Sequence, residues 1–249
     1  MIRREALPGG EIRWRRRVET PSEATRFMEA VGYCLLFPSK GLALPSLYFA
    51  MARRKPLTWD KHSVKLWEWK DQLPRKGRAF YAKYFKGRGT FIALNMLPSF
   101  LAMEASAAGT QDAAAFFAAG RISAEARDIW QALEGLGSLP TLELRHACKM
   151  ETTAGNKRFK KAMLELQRLL VVVHFGAEQE TAAWASGRFE HTARAFPREI
   201  KLANNISAGE ARGAIAGKYL EWHPGADAML LARLFGWSKE DAQTACGTR

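Results

Sequence analysis

Lys157, Lys161, Leu164 and Arg168 recur at the spacing of one helix face, and Asn156, Arg158, Lys160 and Gln167 flank them. Ammonium and guanidinium groups in such a stripe neutralise phosphates, and they hold a polyanion in place without breaking its bonds. Between Arg145 and Arg168 seven Lys or Arg stand against two Glu, a local net of +5. A second cationic group, Arg53, Arg54, Lys55, Arg75, Lys76, Arg78 and Arg88, falls in the block Arg53 to Arg88, where twelve Lys or Arg outnumber three acids. Those acids are Asp60, Glu68 and Asp71, and a carboxylate in this setting could act as a general base that activates water. Asp60 and Glu68 are therefore the catalytic candidates, although acids among so many bases more often serve as ion-pair partners. His62, His146, His174, His191 and His223 are too scattered for a local metal pair, and no phosphate-binding glycine loop is present. The expectation is no metal and no cofactor.

The elements around the first stripe form an ordered series. Ser123 can cap a helix whose apolar face holds Ala126, Ile129, Trp130 and Leu133, and Gly135 and Gly137 stop it. Thr141 is placed to cap a second helix, Leu142 to Met150. Gly155-Asn156 opens a third, with Phe159, Ala162, Met163, Leu166 and Leu170 on its apolar side. The run Leu169 to Val173 is β-branched and too short for another helix, so it reads as a strand. Gly176 to Glu180 would be a small turn and Ala182 to Arg188 the return strand. Helix, helix, basic helix, strand is the order of a winged helix, whose third helix enters a major groove. The same pattern also suits an ordinary surface helix with a solvated charged face.

Elsewhere Pro21-Ser22-Glu23 starts a helix, Gly32 to Phe37 is β-prone, and Pro45 leads a helix from Ser46 to Arg54. Phe80, Tyr81, Tyr84 and Phe85 suit a helix buried on one broad face, and Thr90 to Ala105 reads as a helix kinked at Pro98. Trp67 and Tyr81 are assigned to the core, because aromatic rings serve mainly as packing anchors. Arginines around Trp14 form either a basic arm or an edge strand through Ile12 and Trp14. Ala105 to Gly120 is the expected hinge, Phe189 to Phe196 a helix ended by Pro197, and two or three helices fill the remainder. The expected fold is mainly α with small β wings: tandem winged helices plus C-terminal helices. Its regions are 1–120 (helical, winged-helix-like and basic), 121–190 (winged helix) and 191–249 (helical extension).

At 249 residues and 47% apolar the chain can bury one large core or two modest ones. The net charge of +13 favours polyanionic partners. Cys34, Cys148 and Cys246 are too few for a disulfide framework and suit a reducing compartment. No apolar run approaches the ~20 residues of a membrane span, and Met1 to Glu19 lacks the apolar core of a secretory signal. The expectation is a cytoplasmic, nucleoid-associated monomer with no membrane partner.

Five segments carry a resemblance: VGYCLLFPSKGLALPSLYFA (from Val31), LWEWKDQLP (from Leu66), FYAKYFKGRGTFIALNMLPSF (from Phe80), GNKRFKKAMLELQRLLVVV (from Gly155) and LFGWSKED (from Leu234). From about Glu19 to the C-terminus the chain resembles the bacterial AlkZ and YcaQ proteins, winged-helix DNA glycosylases that remove alkylated or crosslinked bases. It looks most like their AlkZ-related relatives. The resemblance implies packed winged helices around a concave basic surface that binds duplex DNA, damaged or intact. The active glycosylases carry a glutamine pair, Q-x-Q or Q-x-D. Here Gln72, Gln111, Gln131, Gln167, Gln179 and Gln243 lack that spacing, and Leu35-Leu36-Phe37-Pro38 falls where the motif belongs. Leu35, Leu36 and Phe37 cannot order a water, and they should pack inward while Pro38 to Gly41 forms an exposed turn. Three readings stay open: a DNA-binding relative without the catalytic motif, an active glycosylase with a divergent site, and a helical protein-interaction module.

Overall fold

The computed structural model of the chain describes residues 5–6, 10–14, 16–56, 58–106, 112–179 and 185–247. A short antiparallel hairpin, β1 (Glu5–Ala6) and β2 (Ile12–Arg13), comes first. The next run is α1 (Pro21–Val31), β3 (Tyr33–Leu35), α2 (Leu47–Ala52), α3 (Lys61–Arg75), β4 (Phe80–Ala82) and β5 (Thr90–Ile92). α4 (Leu97–Ser106) and α5 (Ala113–Ala118) lead to a second run of the same order. It comprises α6 (Ala124–Leu136), β6 (Leu139–Pro140), α7 (Thr141–Ala147), α8 (Thr153–Arg168), β7 (Val172–Glu178) and β8 (Ser186–His191). Five helices follow: α9 (Thr192–Ala195), α10 (Pro197–Ala203), α11 (Ala208–Leu220), α12 (Ala228–Phe235) and α13 (Lys239–Gly247).

Both runs read helix, strand, helix, helix, strand, strand. In both, the last strand lies in the middle of a three-stranded antiparallel sheet, β3-β5-β4 and β6-β8-β7. That is winged-helix topology, present twice. Short polar caps set the helix starts: Thr20 with Glu23 closes a capping box on α1, Ser46 caps α2, Asp60 α3, Ser123 α6 and Thr152 α8. Glu165 of α8 also accepts from the Ser123 amide and hydroxyl at 2.9 and 2.7 Å, which ties α8 to the start of α6.

Two apolar clusters hold these elements. One joins the first winged helix to α4 and the C-terminal helices, with Tyr33, Phe91, Phe100, Tyr219 and Trp222 among its fully buried rings. The Tyr33 hydroxyl donates to the Ile215 carbonyl and the Trp222 indole to that of Val31, so burial leaves neither polar tip unpaired. The other cluster lies inside the second winged helix, around Trp130, Leu133, Phe159, Leu166 and Val172.

The observed elements differ from the sequence reading in several places. Thr90 to Ile92 is the central strand of the first sheet and not the start of a helix, and Pro98 sits in the first turn of α4. Phe80 to Ala82 is likewise a strand, followed by a 3-10 turn at Phe85–Gly87. Short apolar runs have no decisive period, and strand partners remote in sequence decided both cases. Gly176 lies within β7 at an irregularity between His174 and Ala177, so no turn begins there. The return strand is Ser186–His191; residues 180–184 of the expected turn and strand lie outside the described residues. Of the helix expected over Phe189 to Phe196, Thr192–Ala195 is helical and ends before Pro197, Phe189–His191 belongs to β8, and Pro197 itself begins α10. Thr141 donates its hydroxyl to the Gly187 carbonyl at 2.7 Å and caps nothing. Ile12–Arg13 is strand, while Arg15 and residues 107–111 of the expected hinge lie outside the described residues.

The turn between α7 and α8 is tight because Gly155 has no side chain. A Cβ there would stand 2.8 Å from the Met150 carbonyl carbon, against main chain that cannot swing away. Gly155→Ala should therefore lower stability by about 1–3 kcal/mol, seen as a reduced urea midpoint with an unchanged slope. Gly135→Ala, where a methyl meets open space within α6, should be neutral or slightly stabilising. Equal midpoints for the two variants would remove this role for Gly155.

Candidate nucleic-acid interface

α8 presents its N-terminal half to solvent and docks its C-terminal half. Lys157, Lys160 and Lys161 are exposed; Arg158 is exposed and pairs with Glu125 at 3.4 Å, and Asn156 is half-buried in the first turn. Leu164, half-buried, and Arg168, exposed, are on the same stripe and lie near Gly87 in the turn after β4. Gln167 is buried and accepts from the Lys83 amide at 3.0 Å. The stripe thus divides into a free cationic start and an end that joins the first winged helix. Arg88, exposed, follows the turn that Leu164 touches.

The second cationic group is dispersed. Arg53 is the left-handed C-cap of α2, and its guanidinium donates to the Trp14 carbonyl, so it holds the N-terminal segment down. Arg54 pairs with Asp60 at 2.7 Å, and Lys55 is exposed. Arg75, at the end of α3, lines a cleft of about 570 Å³ with Phe175, Glu178 and Arg188. Lys76 and Arg78 are exposed just beyond it.

Of the acids, Asp60 is fully engaged. One carboxylate oxygen accepts from the His62 and Ser63 amides and the Ser63 hydroxyl, and the other from the Tyr48 hydroxyl and Arg54 at 2.7 Å each. Desolvation pushes its carboxyl up, but hydrogen bonds from Ser63 and Tyr48 outweigh that and hold it at about 2. A carboxylate so stabilised is a helix cap and a poor base. Glu68 is exposed on α3. Asp71 meets His174 of β7, 103 positions further along the chain: His174 Nε2 and Lys70 Nζ each lie 2.5 Å from Asp71 Oδ1. No spacing rule in the sequence could have paired them.

Sequence reasoning also missed Glu11. Gly10, at φ +85°, brings the chain so close to the backbone of Ala43 and Leu44 that no side chain would fit there. Glu11 is thereby buried, accepting from the Ser46 amide at 2.9 Å and its hydroxyl at 2.8 Å. Burial pushes its carboxyl up to about 7, against the hydrogen bonds from Ser46 and the attraction of Lys55. It lines an open cavity of about 540 Å³, together with Lys40, Leu42, Lys55, Leu230 and Arg233. An acid beside a cluster of arginines near a chain start gives no sign of burial. Leu35 and Leu36 are buried and Phe37 partly so, while Lys40 and Gly41 are exposed, as their side chains dictate. Tyr81 is core, but Trp67, assigned there by its type, is 40% exposed and touches Trp59, which is 54% exposed.

The Asp71–His174 contact makes stability depend on pH. Burial holds the His174 imidazole below its ordinary 6.5, although the bond to Asp71 pulls it upward. Burial pushes the Asp71 carboxyl up, but bonds from His174 and Lys70 hold it below 3.8. Both folded values are depressed, so both contributions are complete above the unfolded values and are lost as pH falls. The His174 loss begins near pH 6.5 and the Asp71 loss near pH 4. Glu11 acts oppositely, losing stability as pH rises from 4.5 toward 7. The comparison with His174→Gln cancels it. The urea midpoint should drop less between pH 7.5 and pH 5 in that variant than in the parent. Equal drops would show that His174 is not held neutral.

No described helix is long and apolar enough to cross a membrane. No curated protein sequence matches the chain. Among solved structures, the Streptomyces sahachiroi DNA glycosylase AlkZ has a similar fold, with a TM-score of 0.57 at 14% identity. The likeness covers 94% of this chain and 60% of that one, so the chain spans about three-fifths of its length. The family described as AlkZ related matches residues 18–236, nearly the whole length, and the chain is a member of that AlkZ-related family.

Proposed function

We propose that this protein binds duplex DNA through the cationic start of α8, as a winged-helix relative of alkylpurine and crosslink glycosylases that lacks their glutamine pair. One observation carries the reading: the third helix of a helix–turn–helix leaves Lys157, Lys160 and Lys161 exposed while its other end is docked. The winged helix within 121–190 then supplies the grip, region 1–120 adds Lys76, Arg78 and Arg88, and 191–249 braces the first core. Lysines reaching phosphates fix position on the duplex without reading sequence. A monomer associated with the nucleoid is the corresponding cellular form.

Lys157→Glu with Lys161→Glu should weaken duplex binding by roughly tenfold or more at every sequence tried, and reduce the salt slope by about 2. Unchanged affinity in the folded double variant would assign these lysines to plain solvation and favour the interaction-module reading.

The Glu11 cavity favours a second reading, an active glycosylase with a divergent site. A buried carboxyl that titrates near neutrality can accept a proton from water or protonate a departing base. On the first reading, purified protein incubated with alkylated duplex releases no N3- or N7-alkylated purine, because buried Leu35 and Leu36 hold no water. Base release that Glu11→Gln abolishes would establish the second.

A further inference from the structure

Of the Trp side chains described, Trp69, Trp130 and Trp222 are buried and Trp14 and Trp237 partly so. Trp59 and Trp67 are the exposed ones, and they touch, with ring centroids 5.6 Å apart. Phe37 extends the row, its ring 6.3 Å from Trp59 and braced from behind by Tyr48 at 5.6 Å. Val64, one turn before Trp67 on α3, is 46% exposed beside them. Leaving two indoles in water forgoes the burial that stabilises Trp69, Trp130 and Trp222. Trp67 stands on the third helix of the first winged helix, the counterpart of α8, and Trp59 just before its cap.

The surroundings name the chemistry of the occupant. Arg54, Lys55, Lys61 and Lys65 are exposed on the segments that carry the two indoles, and Lys70 Nζ lies 4.3 Å from the Trp67 ring centre. Against them stand Asp60, already held by Arg54, Asp71, which holds the buried Lys70, and Glu68, so Lys55, Lys61 and Lys65 are the cations left for phosphates. A row of flat apolar rings with a cationic border matches a ligand that alternates flat rings with negative charges. A strand of unpaired nucleotides is such a ligand, its bases stacking on the rings and its phosphates meeting the cations. Paired bases offer no free faces, so a duplex would leave the row empty. Beyond Phe37 the chain runs into Pro38 to Ala43, the rim of the cavity that holds Glu11, Lys40 and Lys55.

We propose that Phe37, Trp59 and Trp67 form a stacking platform for unpaired bases of a DNA strand, a site separate from the α8 lysines. It rests on the reading above only in taking DNA as the partner. The test titrates a short fluorescent oligothymidylate, and separately a blunt duplex, into the parent protein, Trp59→Ala, Trp67→Ala and Trp67→Tyr. Both indoles are exposed, so thermal melting should show all variants folded. Each alanine variant should lose roughly 5- to 150-fold in affinity for the oligothymidylate, the range for one lost base stack, and Trp67→Tyr should restore most of it. Duplex affinity should stay within about twofold. Parental oligothymidylate binding by both alanine variants overturns the platform, as does absence of such binding by the parent. Loss of duplex binding alone, in the Lys157→Glu/Lys161→Glu protein, bears on α8 and leaves the platform supported as an independent site.

Discussion

The docking of α3 onto β7 fixes how the two winged helices face each other, and the Asp71 carboxylate is its centre. His174 reaches it from β7 and Lys70 from the neighbouring position on α3, while Tyr81 lays its ring edge against the imidazole, 5.6 Å between centroids. Such a charged cluster adds little net stability, since desolvation cancels most of the attraction. Removing one member is a different matter, because it strands the others without partners, at a cost of about 3–5 kcal/mol. The cluster therefore acts on register more than on stability. A shift of β7 along α3 would separate the imidazole from the carboxylate.

The same docking divides both third helices in a similar way. α3 gives Lys70 and Asp71 to the joint and leaves Trp59, Val64 and Trp67 near its start in solvent. α8 gives Leu164 and Gln167 to the turn after β4 and leaves Lys157, Lys160 and Lys161 free. In an isolated winged helix the whole third helix would be open to a groove. Here only the beginnings are, one aromatic and one cationic. Their different side chains underlie the proposal of different forms of DNA for the two surfaces.

Burial sorts the carboxylates by what they can do. Asp60 caps α3 and stays ionised, Asp71 is locked between two donors, and Glu11, pressed in by the close approach at Gly10, is pushed toward neutrality. None of this follows from residue type, since all three are acids in a basic chain. The apolar Leu35–Leu36 pair behaves otherwise. Leu35, opposite Thr90 at the end of β3, and Leu36 just after it have only the core to go to, at about 1.5–3 kcal/mol each for full burial.

The sequence by itself determined the three helices of the second winged helix and the start of β7, though not β6 or the extent of β7 and β8. α6 and α8 carry amphipathic faces and polar caps, signals that operate over a few residues, and Val172–Val173 is β-branched. It also determined that Leu35 and Leu36 go inside. It could not determine Thr90–Ile92 or Phe80–Ala82, because a three-residue apolar run pairs as a strand only when a partner arrives from elsewhere in the chain. Nor could it place Trp67, whose exposure depends on what α3 packs against, or pair Asp71 with His174 across 103 positions. Tertiary structure alone decided which cations remained free: Arg53 is drawn into a joint and Arg54 into a pair with Asp60, and Lys157 and Lys161 are not. Local pattern specifies an element and its buried face, and only the packing of one unit on another specifies which part of the polar face meets solvent.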